Sequence, residues 1–336
     1  MLKQKWIIAI ILAGSLIGVA GCAENSTKEV EAYNRTEKGK NEQVQSKEET
    51  KGENKKEEPE EILVKVMDPT TKAVIRTINP QEMGYGLDNQ LYQAELEKWA
   101  RELAVGNDTT PGYDKRNTPD RIGSEGQIIK GTPRVELEEA ELVTRILEAS
   151  EKGGNVDLPL TIQESQYRPE DVPFLGEVVV ATYTTNFNPS VVGRNKNIEL
   201  SAAAIHNVIV GVNDYFSFNT TVGPSDEAHG YQPAQEAVNG QLVMGIGGGI
   251  CQTSSTLYNA VDQIGVAYVE LHHHSVTVGY VPTGRDATVS YGGVDFRFQN
   301  TTGAPFLIST IYNPNGTLTV EIKTSAQYAG VVKRAV

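Results

Sequence analysis

Hydrophobic positions recur at strand and helix spacing in residues 61–165. Val64 and Val66 alternate with lysines before the turn Asp68-Pro69-Thr70-Thr71, which indicates a β-hairpin. Residues 105–134 are rich in Gly, Pro, Asp and Thr and are expected to be mostly loop. The predicted elements, in chain order, are a hairpin over 62–78, helices over 89–103 and 136–151, and a strand over 156–162. Together they predict a small α+β module.

A second pattern, with more strands than helices, covers residues 172–325. The spacing predicts helices over 199–210 and 250–264, and strands over 178–183, 266–271, 275–281, 295–298, 306–312 and 318–322. The turn sequence Asn313-Pro314-Asn315-Gly316 joins the last two strands, so these are expected to pair antiparallel. Because helices and strands do not alternate regularly, we predict an α+β fold with a mixed or antiparallel sheet and a cysteine-bearing helix.

The N-terminal pattern indicates export and lipid attachment. Two lysines precede an uncharged apolar run over residues 6–20, which is short for a membrane span but suits a signal peptide. The run ends in Val19-Ala20-Gly21-Cys22, which resembles a bacterial lipobox. We therefore expect residues 1–21 to be a lipoprotein signal peptide, with Cys22 anchored to the outer face of the cytoplasmic membrane. An ordinary signal peptide with an incidental cysteine is the alternative.

Composition changes the picture in two ways. Residues 23–60 hold 11 Glu and 8 Lys or Arg with almost no large apolar side chains, so residues 22–60 are predicted to be a disordered charged tether. The formal charge of −13 therefore arises mostly from the folded part, and it argues against a nucleic-acid partner. The chain has two cysteines, too few for a disulfide framework, and Cys251 is the one thiol left after Cys22.

A glycine run immediately precedes Cys251. The sequence Gly245-Ile246-Gly247-Gly248-Gly249-Ile250-Cys251 places the thiol in the first turn of a predicted helix. The positive end of the helix dipole favours the thiolate there, and the amides of Gly248, Gly249 and Cys251 are candidate oxyanion donors. A buried cysteine that acts as a small hydrophobic residue is the alternative.

Three consecutive histidines follow Cys251 in the chain. Strand alternation would put His272 and His274 on one face and His273 on the other. A helix that begins with cysteine, followed by a strand that carries histidine, is the arrangement of papain-like and NlpC-type cysteine peptidases, where imidazole acts as base and then acid. The predicted roles are nucleophile for Cys251, general base for His274 or His272, and imidazole-orienting group for Asp286 or Asp295.

Other interpretations stay open for these and nearby residues. The histidines are alternatively exposed on an edge strand, or form a zinc site from Cys251, His272 and His274 that lacks an evident fourth ligand. The remaining candidates are weaker: His206 as a core residue, His229 as a pocket residue in a loop, and Ser254 or Ser255 as nucleophiles without a glycine-flanked elbow.

Several motifs together resemble the VanW family. They are Asp214-Tyr215-Phe216-Ser217-Phe218-Asn219, Val222-Gly223-Pro224, Gly230-Tyr231, Gly247-Gly248-Gly249-Ile250-Cys251-Gln252, Ser255-Thr256-Leu257-Tyr258-Asn259-Ala260, His272-His273-His274-Ser275, Tyr280-Val281-Pro282-Thr283-Gly284-Arg285-Asp286-Ala287-Thr288-Val289 and Asp295-Phe296-Arg297-Phe298-Gln299-Asn300. Residues 172–325 are thereby identified as a VanW domain. The family pattern His-x-His-Ser maps to His272 and His274. The helix and the following Val156-Asp157-Leu158-Pro159-Leu160 resemble a peptidoglycan-binding module found upstream of such domains.

The resemblance implies a Gram-positive surface protein, because founding members of the family accompany vancomycin-resistance gene clusters. We expect a lipoprotein that binds or acts on peptidoglycan or its precursors, without a cofactor or metal, through a Cys-His peptidase or transpeptidase site. A non-catalytic protein that binds the wall or a partner is the alternative. The expected substrate- and oxyanion-binding residues are Gly247, Gly248, Gly249, Gln252, Ser255, Tyr258 and Arg285.

Overall fold

The computed structural model describes residues 61–107, 109–238 and 241–332. The predicted signal peptide, the lipidation site at Cys22 and the charged tether lie outside the described residues, and they stay predictions. In the described part, no helix combines the length and the apolar character needed to cross a membrane.

Short strands surround two helices in the N-terminal part. The elements are β1 (Val64–Met67), β2 (Val74–Ile78), α1 (Asn89–Val105), β3 (Arg121–Ile122), β4 (Ile128–Ile129), β5 (Arg134–Leu137), α2 (Glu139–Ala149), β6 (Gly154–Asp157) and β7 (Leu160–Gln163). The predicted hairpin is confirmed, since β1 and β2 pair antiparallel. The predicted helix over 89–103 is also confirmed, and the Asp88 carboxylate caps it by accepting a hydrogen bond from the Leu91 amide.

Two N-terminal predictions were wrong in detail. The stretch 136–151 begins as strand β5 and becomes helical only at Glu139. The single strand predicted over 156–162 is two strands, because Leu158-Pro159 separates them and Pro159 has no amide donor for a continuous ladder. Strand β6 pairs parallel to β1, whereas β7 pairs antiparallel to β5.

The C-terminal part contains the larger sheet. Its elements are β8 (Val178–Asn186), α3 (Val192–Ile205), β9 (Val208–Val210), β10 (Tyr215–Ser217), α4 (Phe218–Val222), β11 (Pro233–Val238), β12 (Gln241–Ile246), α5 (Ile250–Val261), β13 (Ala267–Glu270), β14 (Arg297–Gln299), β15 (Phe306–Asn313) and β16 (Thr317–Thr324). Three short 3-10 helices cover Pro169–Phe174, Glu227–His229 and Asp262–Ile264.

An antiparallel sheet with the strand order β4-β3-β9-β15-β16-β8 supports helix α5, which carries Cys251 and directly follows the glycine run. The last two strands, β15 and β16, pair antiparallel as predicted. Helix α5 packs on β8 and β16, and α3 packs on β15 and on α5. Leu318, Val320 and Ile322 alternate along β16 and are fully buried. The predicted α+β fold class is confirmed.

The buried apolar side chains of the described residues form two larger clusters and two smaller ones, and the two larger clusters lie in different parts of the chain. One lies within residues 64–158 and includes Tyr92 and Leu96 of α1. The other lies within 181–332 and contains a row of stacked and tilted phenylalanines formed by Phe216, Phe296, Phe298 and Phe306. The boundaries proposed for the two domains, at residues 165 and 172, stay predictions.

Tertiary pairing corrects several C-terminal predictions. The stretch 199–210 is the end of helix α3 followed by strand β9, and Asn207 between them has a φ of +60°, which ends the helix. The strand predicted over 275–281 is absent, since residues 271–296 contain neither helix nor strand. Strands β3 and β4 arise in the predicted loop, where Arg121 pairs with Val208 of the large sheet.

Asp295 fixes the end of this irregular segment to two other parts of the chain. The buried carboxylate accepts hydrogen bonds from the Arg116 guanidinium (2.9 Å), the Ser217 hydroxyl (2.6 Å) and the Asn219 amide (2.9 Å). We expect Asp295→Ala to lower the free energy of unfolding by about 3 kcal/mol, because it leaves buried donors without an acceptor. Chemical denaturation monitored by circular dichroism would measure this loss.

Lys72→Ala is the matched control for Asp295→Ala. The ion pair between Lys72 and Asp157 spans 3.4 Å and both side chains are at least half exposed. We expect its loss to change the free energy of unfolding by less than about 0.5 kcal/mol. Equal effects of the two substitutions would contradict the structural role of Asp295.

Candidate functional site

A cavity of about 780 Å³ lies at the N-terminal end of helix α5. Hairpin β11–β12 forms one wall and the irregular segment 274–291 forms another, while α3 and α4 contribute further side chains. Apolar and aromatic side chains line part of it, and Met244 and Tyr291 are more than half exposed there. The cavity is large enough for a short peptide or a small molecule of comparable size.

The glycine run lines the cavity with a turn whose backbone conformation and close contacts disfavour residues that have a Cβ atom. Gly247 and Gly249 have φ values of +97° and +116°, and a Cβ at Gly248 would lie 2.5 Å from the Gln235 carbonyl oxygen. All three glycines line the cavity. The amides of Gly248 and Gly249 donate to no acceptor in the described part of the chain, so they are candidate donors for a ligand oxyanion.

Cys251 lines the cavity in the first turn of α5. Its Sγ donates to the Val289 carbonyl oxygen at 3.4 Å. Burial raises the pKa of the Cys251 thiol above its ordinary value of 9.0, although this hydrogen bond and the nearby Arg194 charge act in the opposite direction. The resting residue is therefore a thiol, not the thiolate expected from the helix dipole alone, and it needs a base to become a nucleophile.

His274 and Asp286 form a buried pair, and His274 lines the same cavity as Cys251. The His274 Nδ1 atom and the Asp286 Oδ2 atom are 2.7 Å apart, and the His274 amide donates to the same oxygen at 2.7 Å. Burial by itself would raise the pKa of Asp286, but the hydrogen bonds from His274 outweigh it and hold this pKa below 3.8. The bond at Nδ1 leaves Nε2 for proton transfer.

The other two histidines lie differently from the predicted strand alternation, because the segment is irregular. His273 places Nδ1 2.7 Å from the Asp286 carbonyl oxygen, on the same partner residue as His274. His272 is exposed and places Nε2 3.2 Å from Glu270. The structure thus brings His274 to Asp286 and leaves His272 outside the cavity lining.

Most of the remaining predicted binding residues hold helix α5 in place. Gln252 lines the cavity, but its side chain is buried and bonded to Arg194, Thr185 and Asn186. The Ser255 hydroxyl donates to the Cys251 carbonyl and accepts from the Ala287 amide, outside the lining. Arg285 binds Asp262, Asn259 and the Tyr258 hydroxyl, and both Arg285 and Tyr258 also lie outside the lining.

The weaker candidates have structural partners. His206 accepts a hydrogen bond from the Thr310 amide at its Nδ1, and burial lowers its pKa. His229 is exposed beside Asp226 and lies outside the cavity lining. The buried Ser254 hydroxyl donates to the Cys251 and Ala287 carbonyls. Asp295 serves the network of Arg116 and Ser217 and does not contact a histidine.

The zinc set considered from the sequence does not assemble. Within residues 61–107, 109–238 and 241–332, no three His, Cys, Asp or Glu side chains are grouped closely enough to hold a metal ion. His272 is engaged with Glu270 instead of sharing a site with Cys251.

Two charged residues of the cavity were missed by sequence reasoning. Arg194 of α3 and Glu236 of β11 both line the cavity, and neither belongs to a recognisable motif. The Arg194 guanidinium lies 5.8 Å from the centre of the Tyr280 ring. No sequence pattern relates Arg194 in helix α3 to the glycine run, which follows about 50 residues later. Only the fold shows that both line one cavity.

Thiol labelling tests the state of Cys251. Because its pKa lies above 9.0, we expect iodoacetamide to label it slowly at pH 7, with a rate that rises about tenfold per pH unit up to pH 9. Peptide mass spectrometry would separate labelling at Cys251 from labelling at Cys22, and glutathione serves as the free-thiol control. Rapid labelling at pH 7, with a midpoint of the rate–pH curve below pH 8.5, would contradict the raised pKa of the Cys251 thiol.

Comparisons with known proteins place this site in a recognised region. Residues 193–323 match the family described as VanW like protein. Over 126 residues the chain is 54% identical to the uncharacterized protein YoaR of Bacillus subtilis (strain 168). This alignment covers 38% of this chain and 42% of YoaR. Over 117 residues the chain is 27% identical to the vancomycin B-type resistance protein VanW of Enterococcus faecalis (strain ATCC 700802 / V583), covering 33% and 42%.

The matches cover only part of each relative. The chain spans about 42% of the length of the curated relatives it matches. No solved structure matches it. The matched region nevertheless contains the glycine run, Cys251, His274 and Asp286, on which the motif resemblance depends.

Proposed function

We propose that this protein is a cell-envelope acyltransferase or peptidase that acts on peptidoglycan peptides through Cys251 and His274, because residues 193–323 match the VanW like family, which their motifs resemble. One observation carries the proposal: the thiol and the Asp286-bound imidazole line the same cavity of about 780 Å³. A nucleophile, a base oriented by a third group and a space for the substrate are the parts that covalent acyl transfer requires.

The raised pKa of Cys251 defines what His274 must do. The resting thiol is protonated, so attack on a peptide carbonyl requires removal of the Sγ proton. Nδ1 of His274 is held by Asp286, and Nε2 is then the nitrogen that accepts this proton. Asp286 remains ionised because its pKa is lowered, and it stabilises the imidazolium that forms.

The proposed reaction has two balanced steps. The Cys251 sulfur bonds to the carbonyl carbon as His274 accepts the thiol proton, and the departing amine takes that proton when the C–N bond breaks. A thioester results. Water or a second amine then attacks the thioester carbonyl and gives a proton to His274, which returns it to the released sulfur. The Gly248 and Gly249 amides face the oxyanion in both steps.

Placement in the cell envelope rests on the chain's N-terminal sequence and on its family. The lipobox-like Val19-Ala20-Gly21-Cys22 supports a lipid anchor, and the charged residues 23–60 support a soluble spacer that lets the folded part reach the wall. The name of the Enterococcus faecalis relative links that protein to vancomycin resistance. Wall peptides are accordingly the substrates we propose.

Incubation with purified muropeptides tests this function. We expect mass spectrometry to show a hydrolysed or cross-linked product, and intact-protein spectra to show an acyl adduct on Cys251 that neutral hydroxylamine removes. Absence of both product and adduct, with muropeptides bound, would favour the second candidate.

The second candidate is a non-catalytic wall-binding protein. The raised thiol pKa and the engagement of Cys251 Sγ with the Val289 carbonyl favour it, because both also suit a structural cysteine. It predicts saturable muropeptide binding that Cys251→Ser leaves intact, with no product formed by either protein.

A further inference from the structure

Arg194 is a cation held at the cavity without an acidic partner. In the described ranges, no carboxylate lies within 4.0 Å of its guanidinium, although the residue is half-buried. Its Nη2 donates to Gln252 Oε1 at 2.9 Å, and its remaining donors have no acceptor among the described side chains. A guanidinium stays charged in this setting, so the free donors favour an anionic ligand.

Neighbouring residues hold Arg194 in this position. The Gln252 amide that receives Nη2 is itself fixed by Nε2 bonds to the Thr185 hydroxyl and the Asn186 carbonyl, both at 3.0 Å. A Cβ at Gly249 would lie 3.0 Å from Arg194 Cγ, so the absent side chain lets the arginine stem pass against the start of α5. The guanidinium is thus pre-ordered beside the residue that carries the thiol.

Glu236 offers the opposite charge from the facing hairpin. It lines the same cavity on strand β11 and forms no ion pair with a described residue. A Cβ at Gly245 would lie 1.9 Å from Glu236 Oε1, so that glycine on β12 makes room for the carboxylate. The cavity therefore presents one cation and one anion that do not neutralise each other.

We infer that Arg194 selects ligands with a free carboxylate and that Glu236 selects a ligand amine, so that the cavity recognises a short zwitterionic peptide. This inference rests on the proposed function only for the choice of a wall-type peptide. The selection of a carboxylate by Arg194 and of an amine by Glu236 requires binding and no catalysis. Arg194 binds the carboxylate in a charge-assisted pair, and its Cζ atom lies over the Tyr280 ring, 5.8 Å from the ring centre. Both charges act on ligand selection and take no part in proton transfer.

Binding of matched peptides to Cys251→Ser protein tests the inference without catalysis. The probes are Nα-acetyl-L-Lys-D-Ala-D-Ala, its C-terminal amide and its Nε-acetyl form, measured by isothermal titration calorimetry. We expect the amide to bind about 10- to 100-fold more weakly than the acid, because a charge-assisted pair is lost. The Nε-acetyl form is expected to bind at least about threefold more weakly, since it loses the contact between its ammonium group and a partly exposed carboxylate.

Variants assign these preferences to residues. Arg194→Gln should abolish the preference for the acid over the amide, and Arg194→Lys should retain part of it; Glu236→Gln should remove only the preference for the free amine. Circular dichroism establishes that each variant is folded. Equal affinity of the acid and the amide for the unsubstituted cavity, a preference unchanged in Arg194→Gln, or no saturable binding of any probe would overturn the inference. Failure of turnover alone, with the preferences intact, would instead overturn the acyl-transfer proposal.

Discussion

Replacement of Cys251 by alanine is expected to lower muropeptide turnover by about 10³-fold or more while the affinity for the peptide stays within about threefold. The substitution removes the sulfur that would carry the acyl group, but the charged and aromatic lining of the cavity remains. Product formation is measured by mass spectrometry, and affinity by calorimetry on the same preparation. The acyl adduct should disappear together with the product.

Cys251→Ser is the control for packing. Serine nearly keeps the volume of cysteine and offers a hydroxyl to the Val289 carbonyl that Sγ contacts at 3.4 Å. We expect it to preserve stability and binding but to lose turnover as well, because a hydroxyl is far harder to deprotonate than a thiol. Turnover at the wild-type rate in either variant would show that Cys251 is not the nucleophile.

The parts of the fold that depend on local pattern could be predicted from the sequence. Helix α5 follows from its apolar spacing after a glycine run, and the β15–β16 meander follows from alternation around Asn313-Pro314-Asn315-Gly316. Strand β3 could not be predicted, because its two residues pair with β4 and join the large sheet through the pairing of Arg121 with Val208, 87 positions later. Long-range pairing of this kind leaves no periodic signal in a short segment.

The segment 275–281 shows why alternation alone can mislead. Its valines suggested a strand, but Val276 and Val278 line the cavity and pair with none of the strands in the described ranges. An apolar wall around a ligand space and an apolar sheet face produce the same sequence pattern. The error in this segment also displaced the histidines, since their predicted faces assumed a regular strand.

The residues of the candidate site likewise divide into those that the sequence predicted and those that only the structure shows. Cys251, His274 and Asp286 were found because residue type and motif point to chemistry, and the structure brings the last two into contact. Arg194 was missed because its significance comes from packing against Gly249 and from the acceptor supplied by Gln252. The thiol pKa was expected in the wrong direction, because burial outweighs the hydrogen bond to Val289 and the charge of Arg194, and the sequence does not give the burial.

Asp286→Asn is expected to lower turnover by about 10³- to 10⁴-fold, with little change in peptide affinity. An amide in place of the carboxylate still accepts a neutral hydrogen bond from His274, but it no longer stabilises the imidazolium that follows removal of the thiol proton. The loss should therefore appear in kcat and not in KM. Asp226→Asn is the matched control, because that carboxylate contacts an exposed histidine, His229, outside the cavity lining.

The stability of the wild type and of Asp286→Asn at acidic pH provides an independent test of the Asp286–His274 contact. The pKa of Asp286 is lower in the folded protein than its ordinary 3.8, so its ionised form stabilises the fold above pH 4, and this stabilisation disappears as the pH falls through the folded-state pKa. Wild type should therefore exceed Asp286→Asn in free energy of unfolding at pH 6, and the difference should shrink below pH 4. A difference that is constant from pH 6 to pH 3, together with unchanged kcat, would show that Asp286 neither pairs with His274 in solution nor orients it for catalysis.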